Sequence, residues 1–347
     1  MTREVQAVTF VGPRNIELRT RSLPACGTEQ VRISTLYSGI SAGTEMNVFR
    51  GSAPQWRTKR DPRNGLFVPS EGPQWSYPLE YGYATVGVVE EVGSAVPGES
   101  APKVGSLVFA YTPHVSANIV PWRSVQVLPK LKDPRVGVFV ASLNTALNGL
   151  LDAGPVFGDV TVVSGLGVIG LLLVQLLKRS GVDLIVGVDQ VTARRAAATR
   201  LGAQLVVPPG EGVAEEVRKQ TSNRGADIVI EVSGASQALN EAVRIAGFNG
   251  RVIAMSWYGG TFESLSLSGE FHHNRIRILS SQVGAINPQL GPLWTLQRRQ
   301  ELVLGLLNEL DLASLITHTI PVAEAAQAYA LVDAGDEDLI QCVFSYV

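Results

Sequence analysis

Apolar and polar positions alternate in short stretches over the first 130 residues, and Gly and Pro punctuate them. Residues 30–35, 85–90 and 106–110 show the period of two that predicts half-buried strands. From about Asp133 the period lengthens to that of a helix, through 138–141 and 144–147. Strand-like and helix-like segments then alternate to about Val283, including apolar runs at 227–234, 250–255 and 275–279. That alternation predicts an α/β, doubly wound parallel sheet. The tail reads as a helix over 298–310, a strand over 316–321, an Ala-rich helix from Val322 and a last strand over 339–346. This last strand is expected to rejoin the first domain. The domain boundaries expected are 1–130 with 284–347, and 131–283.

One stretch fits neither period. Residues 51–82 hold Trp56, Trp75 and Tyr77 among basic, Pro and Gly residues. A loop this long inside a compact domain has a function or lacks order, so 52–78 is read either as an aromatic lid over a flat or apolar substrate or as surface loop.

The strongest local signal is V-T-V-V-S-G-L-G-V-I-G over 160–170. A β-branched run predicts a buried parallel strand. It meets Ser164, Gly165, Leu166, Gly167, Val168, Ile169 and Gly170, a G-x-G-x-x-G turn, and the apolar stretch 171–179 predicts a helix that Gly181 stops. In such a turn Gly165 permits the tight bend, Gly167 admits a pyrophosphate to the backbone and Gly170 lets helix and strand pack closely. The helix N-terminus supplies free N–H groups for the phosphates. A second strand, 184–188, ends in Asp189, about 20 residues past the glycines, where a carboxylate meets the adenosine ribose. Further cofactor-binding candidates are Gln190, Arg194, Ser233, Gly234 and Ser256. Arg194 and Arg195 flank the adenine or lie on a solvated helix face.

Composition adds exclusions. At 347 residues, 45% hydrophobic and 17% charged, the chain describes an ordinary soluble protein of about two domains. A net charge of -2 gives no basic footprint for nucleic acid. The two cysteines, Cys26 and Cys342, have no metal-ligand spacing and suit a reducing compartment. No signal peptide is expected ahead of the first strand at 5–10, and the longest apolar run singled out, near 168–177, is too short to span a bilayer. A cytoplasmic location is expected, with no nucleic-acid or membrane partner.

S-G-I-S-A-G-T-E over 38–45, G-Y-A-T-V-G-V-V-E-E-V-G over 82–93, and L-I-T-H-T-I-P with A-A-Q-A-Y in the tail resemble the medium-chain dehydrogenase/reductase superfamily. The resemblance runs over nearly the whole chain. It implies a Rossmann domain inserted into a β-rich, GroES-like catalytic domain, with the active site in the cleft between them. Zinc-type members hold Zn²⁺ through a Cys, a His and often a Glu, with a third ligand near the following helix. The matching positions here resemble Ser41, Tyr83, Ala84 and Ala141, which lack the N/S donors zinc prefers. No metal ligand is therefore assigned. Among zinc-free branches the S-G-I-S-x-G-T-E and G-Y strings look most like the bacteriochlorophyllide a dehydrogenase group, which oxidises a hydroxyethyl side chain. Its G-Y-E-S-V-G is G-Y-A-T-V-G here.

By this resemblance the catalytic candidates are Tyr83, Thr44 and Asn47. Tyr83 stands where the zinc-ligating His would be, as proton donor and acceptor or as a packing tyrosine. Thr44 and Asn47 resemble the family's proton relay, or else make local turn and helix bonds. Glu45 is read as a structural pair, His114 as a framework histidine, and His272 and His273 as surface or dimer-edge residues. The function expected is a zinc-independent, NAD-linked interconversion of a secondary alcohol and a ketone on a small-molecule substrate that is cyclic, sugar-like or a hydroxyethyl-bearing ring. A reductase of C=C or C=N bonds and an inactive nucleotide-binding relative stand as alternatives. A homodimer joined through the edge strand at 275–279 is also expected.

Overall fold

The computed structural model describes residues 3–70, 72, 75–98, 101–258 and 265–346. Glu71, Pro73 and Gln74 of the aromatic loop, and Met1, lie outside them. The chain divides into two compact units, one of residues 1–141 with 312–347 and one of residues 142–311.

In the first unit, strands Val125–Val127, Leu107–Ala110, Thr85–Val92, Gln30–Gly39, Gln341–Ser345 and Ile316–Pro321 follow one another across a seven-stranded sheet. Ala117–Pro121 also pairs with Gln30–Gly39. The C-terminal strand Gln341–Ser345 does rejoin this domain, antiparallel to Gln30–Gly39, with Val343 opposite Gly39. A second sheet joins Asn15–Leu23, Arg3–Gly12 and Leu79–Glu80. Against it a core forms from Phe10, Met46, Phe49, Tyr329 and Phe344, all but fully buried. Gly87 is required in its strand, because a Cβ there would lie 2.2 Å from the Ser34 carbonyl oxygen.

The second unit is a six-stranded sheet in the order Leu205–Val207, Leu184–Val188, Val160–Ser164, Ala226–Glu231, Ala246–Ala254, Arg277–Ser280. Every neighbouring pair is parallel. The spatial order 3-2-1-4-5-6 is that of the dinucleotide-binding sheet. All five residues of Val160–Ser164 are buried, which explains why its sequence is continuously apolar rather than alternating.

The tail differs from its expected borders. The helix expected at 298–310 is Leu296–Leu306, and it belongs to the nucleotide unit, which runs to Asp311 rather than 283. Arg299 holds it there. This nearly buried guanidinium donates to Asn144 Oδ1 at 3.3 Å, to Asn148 Oδ1 and to the Val283 carbonyl at 2.7 Å. The Ala-rich helix is Ala325–Ala334, after a 3-10 turn at Val322–Glu324. The edge strand is Arg277–Ser280, mostly exposed, and His272 and His273 lie exposed just before it. The 20-residue helical run Pro134–Ala153 has a mean hydropathy of 1.3 and exceeds the apolar stretch singled out near 168–177. By length and composition it could cross a membrane, yet 67% of its most apolar 18-residue window is buried within the fold, as in a core helix.

Candidate functional site

The nucleotide unit places its candidates at the carboxyl ends of parallel strands, where ligands bind in open α/β sheets. Gly165 adopts φ +100°, and a Cβ there would lie 2.7 Å from the Ser233 amide nitrogen. At Gly170 a Cβ would lie 1.9 Å from the Gly165 carbonyl oxygen, so no side chain fits. At Gly167 a Cβ would meet nothing within 4 Å, which leaves the space that a pyrophosphate needs. Gly167 also caps the helix Val168–Lys178 without a side-chain bond, and the first intrahelical bond at this end runs from Leu171 N to Gly167 O. The amides of Val168, Ile169 and Gly170 precede it and are those that a helix leaves for a ligand.

Leu166 differs from its neighbours. Its amide donates to Asp189 Oδ2 at 2.8 Å and its side chain is fully buried, so it braces the turn rather than facing a phosphate. The other Asp189 oxygen accepts from Val191 N at 2.8 Å. Each oxygen keeps a second lone pair for a ribose hydroxyl. Arg195 donates to the Asp189 and Gln190 carbonyls at 2.6 and 2.9 Å and to Thr192 Oγ1 at 3.0 Å. Its guanidinium is thus turned onto the backbone, while Arg194 lies half-buried on the same helix, Thr192–Leu201.

Sequence reasoning missed Glu231, which ends the strand Ala226–Glu231 and is fully buried. Its Oε1 accepts from Ser233 N at 2.7 Å, from Ser233 Oγ and from Gly234 N at 3.2 Å. Its Oε2 accepts from the Tyr258 hydroxyl. Burial and this carboxylate push the Tyr258 phenol well above its usual range, and Ser256 Oγ nearby is a buried atom with no hydrogen-bond partner among the described residues. Glu231 therefore fixes the Ser233–Gly234 turn against Gly165. An acid ending an apolar strand, as Asp189 does, was the available signal.

In the first unit Ser41, Thr44 and Tyr83 converge. Thr44 opens the short helix Thr44–Phe49, and Tyr83 precedes the strand Thr85–Val92. The half-buried Tyr83 phenol hydrogen-bonds with the Ser41 and Thr44 side chains. Burial first, then the Glu45 charge, drive its pKa well above 10, and those two hydrogen bonds only partly oppose the shift. The lowered pKa that a basic role for Tyr83 at neutral pH would need is therefore not what this environment supplies. Asn47 is not brought to the phenol; its Oδ1 accepts from Ser52 Oγ at 3.4 Å, a local loop bond.

Behind these residues lies a fully buried carboxylate. Glu45 Oε1 accepts from Ser41 N at 3.0 Å, and Oε2 meets His114 Nε2 at 2.9 Å and accepts from the Tyr329 hydroxyl at 2.7 Å. His114 Nδ1 meets Ser38 Oγ at 2.7 Å, and Ser38 Oγ lies 3.0 Å from the Tyr346 hydroxyl. The structural roles expected of Glu45 and His114 are what these contacts provide. Gly82, at φ +125°, is needed beside them, since a Cβ there would lie 2.7 Å from the His114 ring. The aromatic loop is no detached lid. Trp56, Trp75 and Tyr77 are half-buried and pack on the core that holds Phe10 and Tyr329, with the Tyr77 hydroxyl donating to the Val48 carbonyl.

Among the described residues no three His, Cys, Asp or Glu side chains group as metal ligands. Ser41, Tyr83, Ala84 and Ala141 supply two hydroxyls and two methyl groups, a set that does not fit Zn²⁺.

This parallel sheet with its glycine turn, joined to a β-rich unit, is the medium-chain alcohol dehydrogenase fold. Residues 168–296 match the family model described as zinc-binding dehydrogenase. D-guloside 3-dehydrogenase of Escherichia coli K12 is 29% identical over 325 residues, covering 90% of this chain and 91% of the relative. The crystal structure of 2R,3R-butanediol dehydrogenase from Bacillus subtilis superposes with a TM-score of 0.80 at 20% identity, covering 99% of this chain and 100% of that one. An alcohol dehydrogenase from E. coli CFT073, complexed with NADH, gives a TM-score of 0.78 at 18% identity, with 99% of each chain covered.

Proposed function

We propose that the protein is a zinc-independent, NAD(H)-linked oxidoreductase that interconverts a secondary alcohol and a ketone on a sugar-like small molecule. The observation that carries this reading is the convergence of Ser41 and Thr44 on a protonated Tyr83 phenol. Bound NADH would supply the hydride for ketone reduction. Val168, Ile169 and Gly170 would receive its pyrophosphate at the open side of Gly167, and Asp189 would take the adenosine ribose.

The chain's own residues would manage the oxygen. As negative charge builds on a carbonyl oxygen, the Tyr83 hydroxyl donates its proton there, and Thr44 and Ser41 bond the phenol oxygen as it becomes negative. A raised pKa keeps this acid protonated throughout the neutral and mildly alkaline range, which suits reduction. The D-guloside and 2R,3R-butanediol relatives support a secondary alcohol as substrate.

Two outcomes test the cofactor and metal assignments. A ribose-facing carboxylate at Asp189 repels a 2′-phosphate, and Arg195 is committed to backbone carbonyls. Competition titrations should therefore show NADH binding at least about tenfold tighter than NADPH, about 1.4 kcal/mol; the reverse preference would overturn this assignment. For the metal, elemental analysis should find no stoichiometric zinc, and a chelator should leave turnover unchanged. One tightly held zinc per chain would show that other residues form a metal site.

A further inference from the structure

A series of aromatic rings leads away from Tyr83 through the first unit. Tyr81 meets Tyr83 edge-on at 6.4 Å, Trp75 lies 5.3 Å from Tyr81, and Trp56 lies 6.0 Å from Trp75. All four rings are half-buried; Trp56, Trp75 and Tyr81 rest on the core and keep surface open. The 3-10 turn Pro54–Trp56 adds a second, polar feature. Gln55 Oε1 and Trp56 Nε1 are buried atoms that have no hydrogen-bond partner among the described residues. Buried indole N–H groups ordinarily find an acceptor, and an unmet buried polar atom calls for an explanation, such as a ligand that it awaits. Here a donor and an acceptor stand unmet on adjacent residues, beside an aromatic wall.

The two features together match one kind of molecule. A pyranose ring carries a face of C–H groups, which packs on the electron-rich face of an aromatic ring. Its hydroxyls donate and accept at the rim. An open-chain polyol has no fixed C–H face, and ordering it costs conformational entropy. A flat apolar ring would cover the aromatics but leave both polar atoms unsatisfied. We infer that Gln55, Trp56, Trp75 and Tyr81 form a subsite for a pyranose ring, which makes the substrate a glycoside or other ring sugar with a secondary ring hydroxyl presented to Tyr83. The inference rests on the reading of Tyr83 as the proton donor.

Saturation-transfer NMR on the full chain with NADH bound tests it without requiring turnover. The probes are a panel of methyl pyranosides, the corresponding open-chain hexitols and a hydroxyethyl-substituted aromatic. Methyl pyranosides should bind, with the strongest transfer on the C–H protons of one ring face, and hexitols should bind at least tenfold more weakly. Trp75→Ala should weaken pyranoside binding at least tenfold. Trp56→Phe keeps a ring and loses the N–H; it should weaken binding about fivefold with NADH affinity unchanged. Equal binding of pyranosides and hexitols would overturn the subsite, as would unchanged affinity in both variants or tighter binding of the hydroxyethyl aromatic. Tyr83→Phe separates the two levels. Lost turnover with pyranoside affinity kept within threefold supports both readings. Full turnover in that variant, with binding still lost in Trp75→Ala, removes Tyr83 as the acid and leaves the subsite standing.

Discussion

Tyr83→Phe is expected to lower kcat for ketone reduction by roughly 10² to 10⁴, the usual worth of a positioned proton donor, while the affinity for NADH stays nearly constant. The substitution removes one oxygen atom and keeps the ring that packs on Tyr81. Its effect therefore reports the hydroxyl rather than the fold. The sign of the pH dependence follows from the same site. Burial and the Glu45 carboxylate raise the phenol's pKa well above 10, so the acid form persists and reduction should not decline between pH 6 and pH 9 through loss of this proton. Alcohol oxidation needs the opposite form, and its rate should climb with pH over that range. Steady-state kinetics on a reactive ketone and its alcohol would measure both. A variant that keeps more than about half of wild-type kcat would assign the proton to another group.

Glu45→Ala should cost the first unit several kcal/mol of stability, at about 1–3 kcal/mol for each buried donor left without its acceptor. It strips the acceptor from three groups at once, the Ser41 amide, the His114 ring and the Tyr329 hydroxyl. No water can replace it without entering a site where carboxylate, imidazole and phenol are all buried. Glu45→Gln keeps the shape and an acceptor oxygen and should cost distinctly less. Urea unfolding followed by fluorescence would show the difference as a shift of the midpoint. A loss below about 1 kcal/mol for the alanine variant would mean that the network reorganises around the gap.

How far each unit could be read from the sequence follows from how far apart its decisive residues lie. The nucleotide-binding turn is local. Strand, glycines, helix and terminal acid occupy one continuous stretch, and the close approach of Gly170 to the Gly165 carbonyl operates within it. A chain with that stretch has little choice but to form that turn, so residues 160–189 were legible. The Tyr83 and Thr44 positions were legible only through the family likeness of their strings, since they lie 39 positions apart in the chain.

What the tertiary structure alone decided involves partners without periodic spacing. Glu45 finds His114 69 residues on and Tyr329 284 residues on. A lone acid in a helix start gives no sign of whether it will be solvated or buried with a full set of donors. Arg299 moved the unit boundary in the same way, by reaching Asn144 and Asn148 across more than 150 residues. The aromatic loop has no repeat at all, yet its rings pack on a core assembled from both ends of the chain. Periodicity records which face of one element is buried; it carries no information on which distant element supplies the cover. That is settled when a buried charge or ring must be satisfied in three dimensions, and in this protein both the Glu45 network and the aromatic wall beside Tyr83 were settled there.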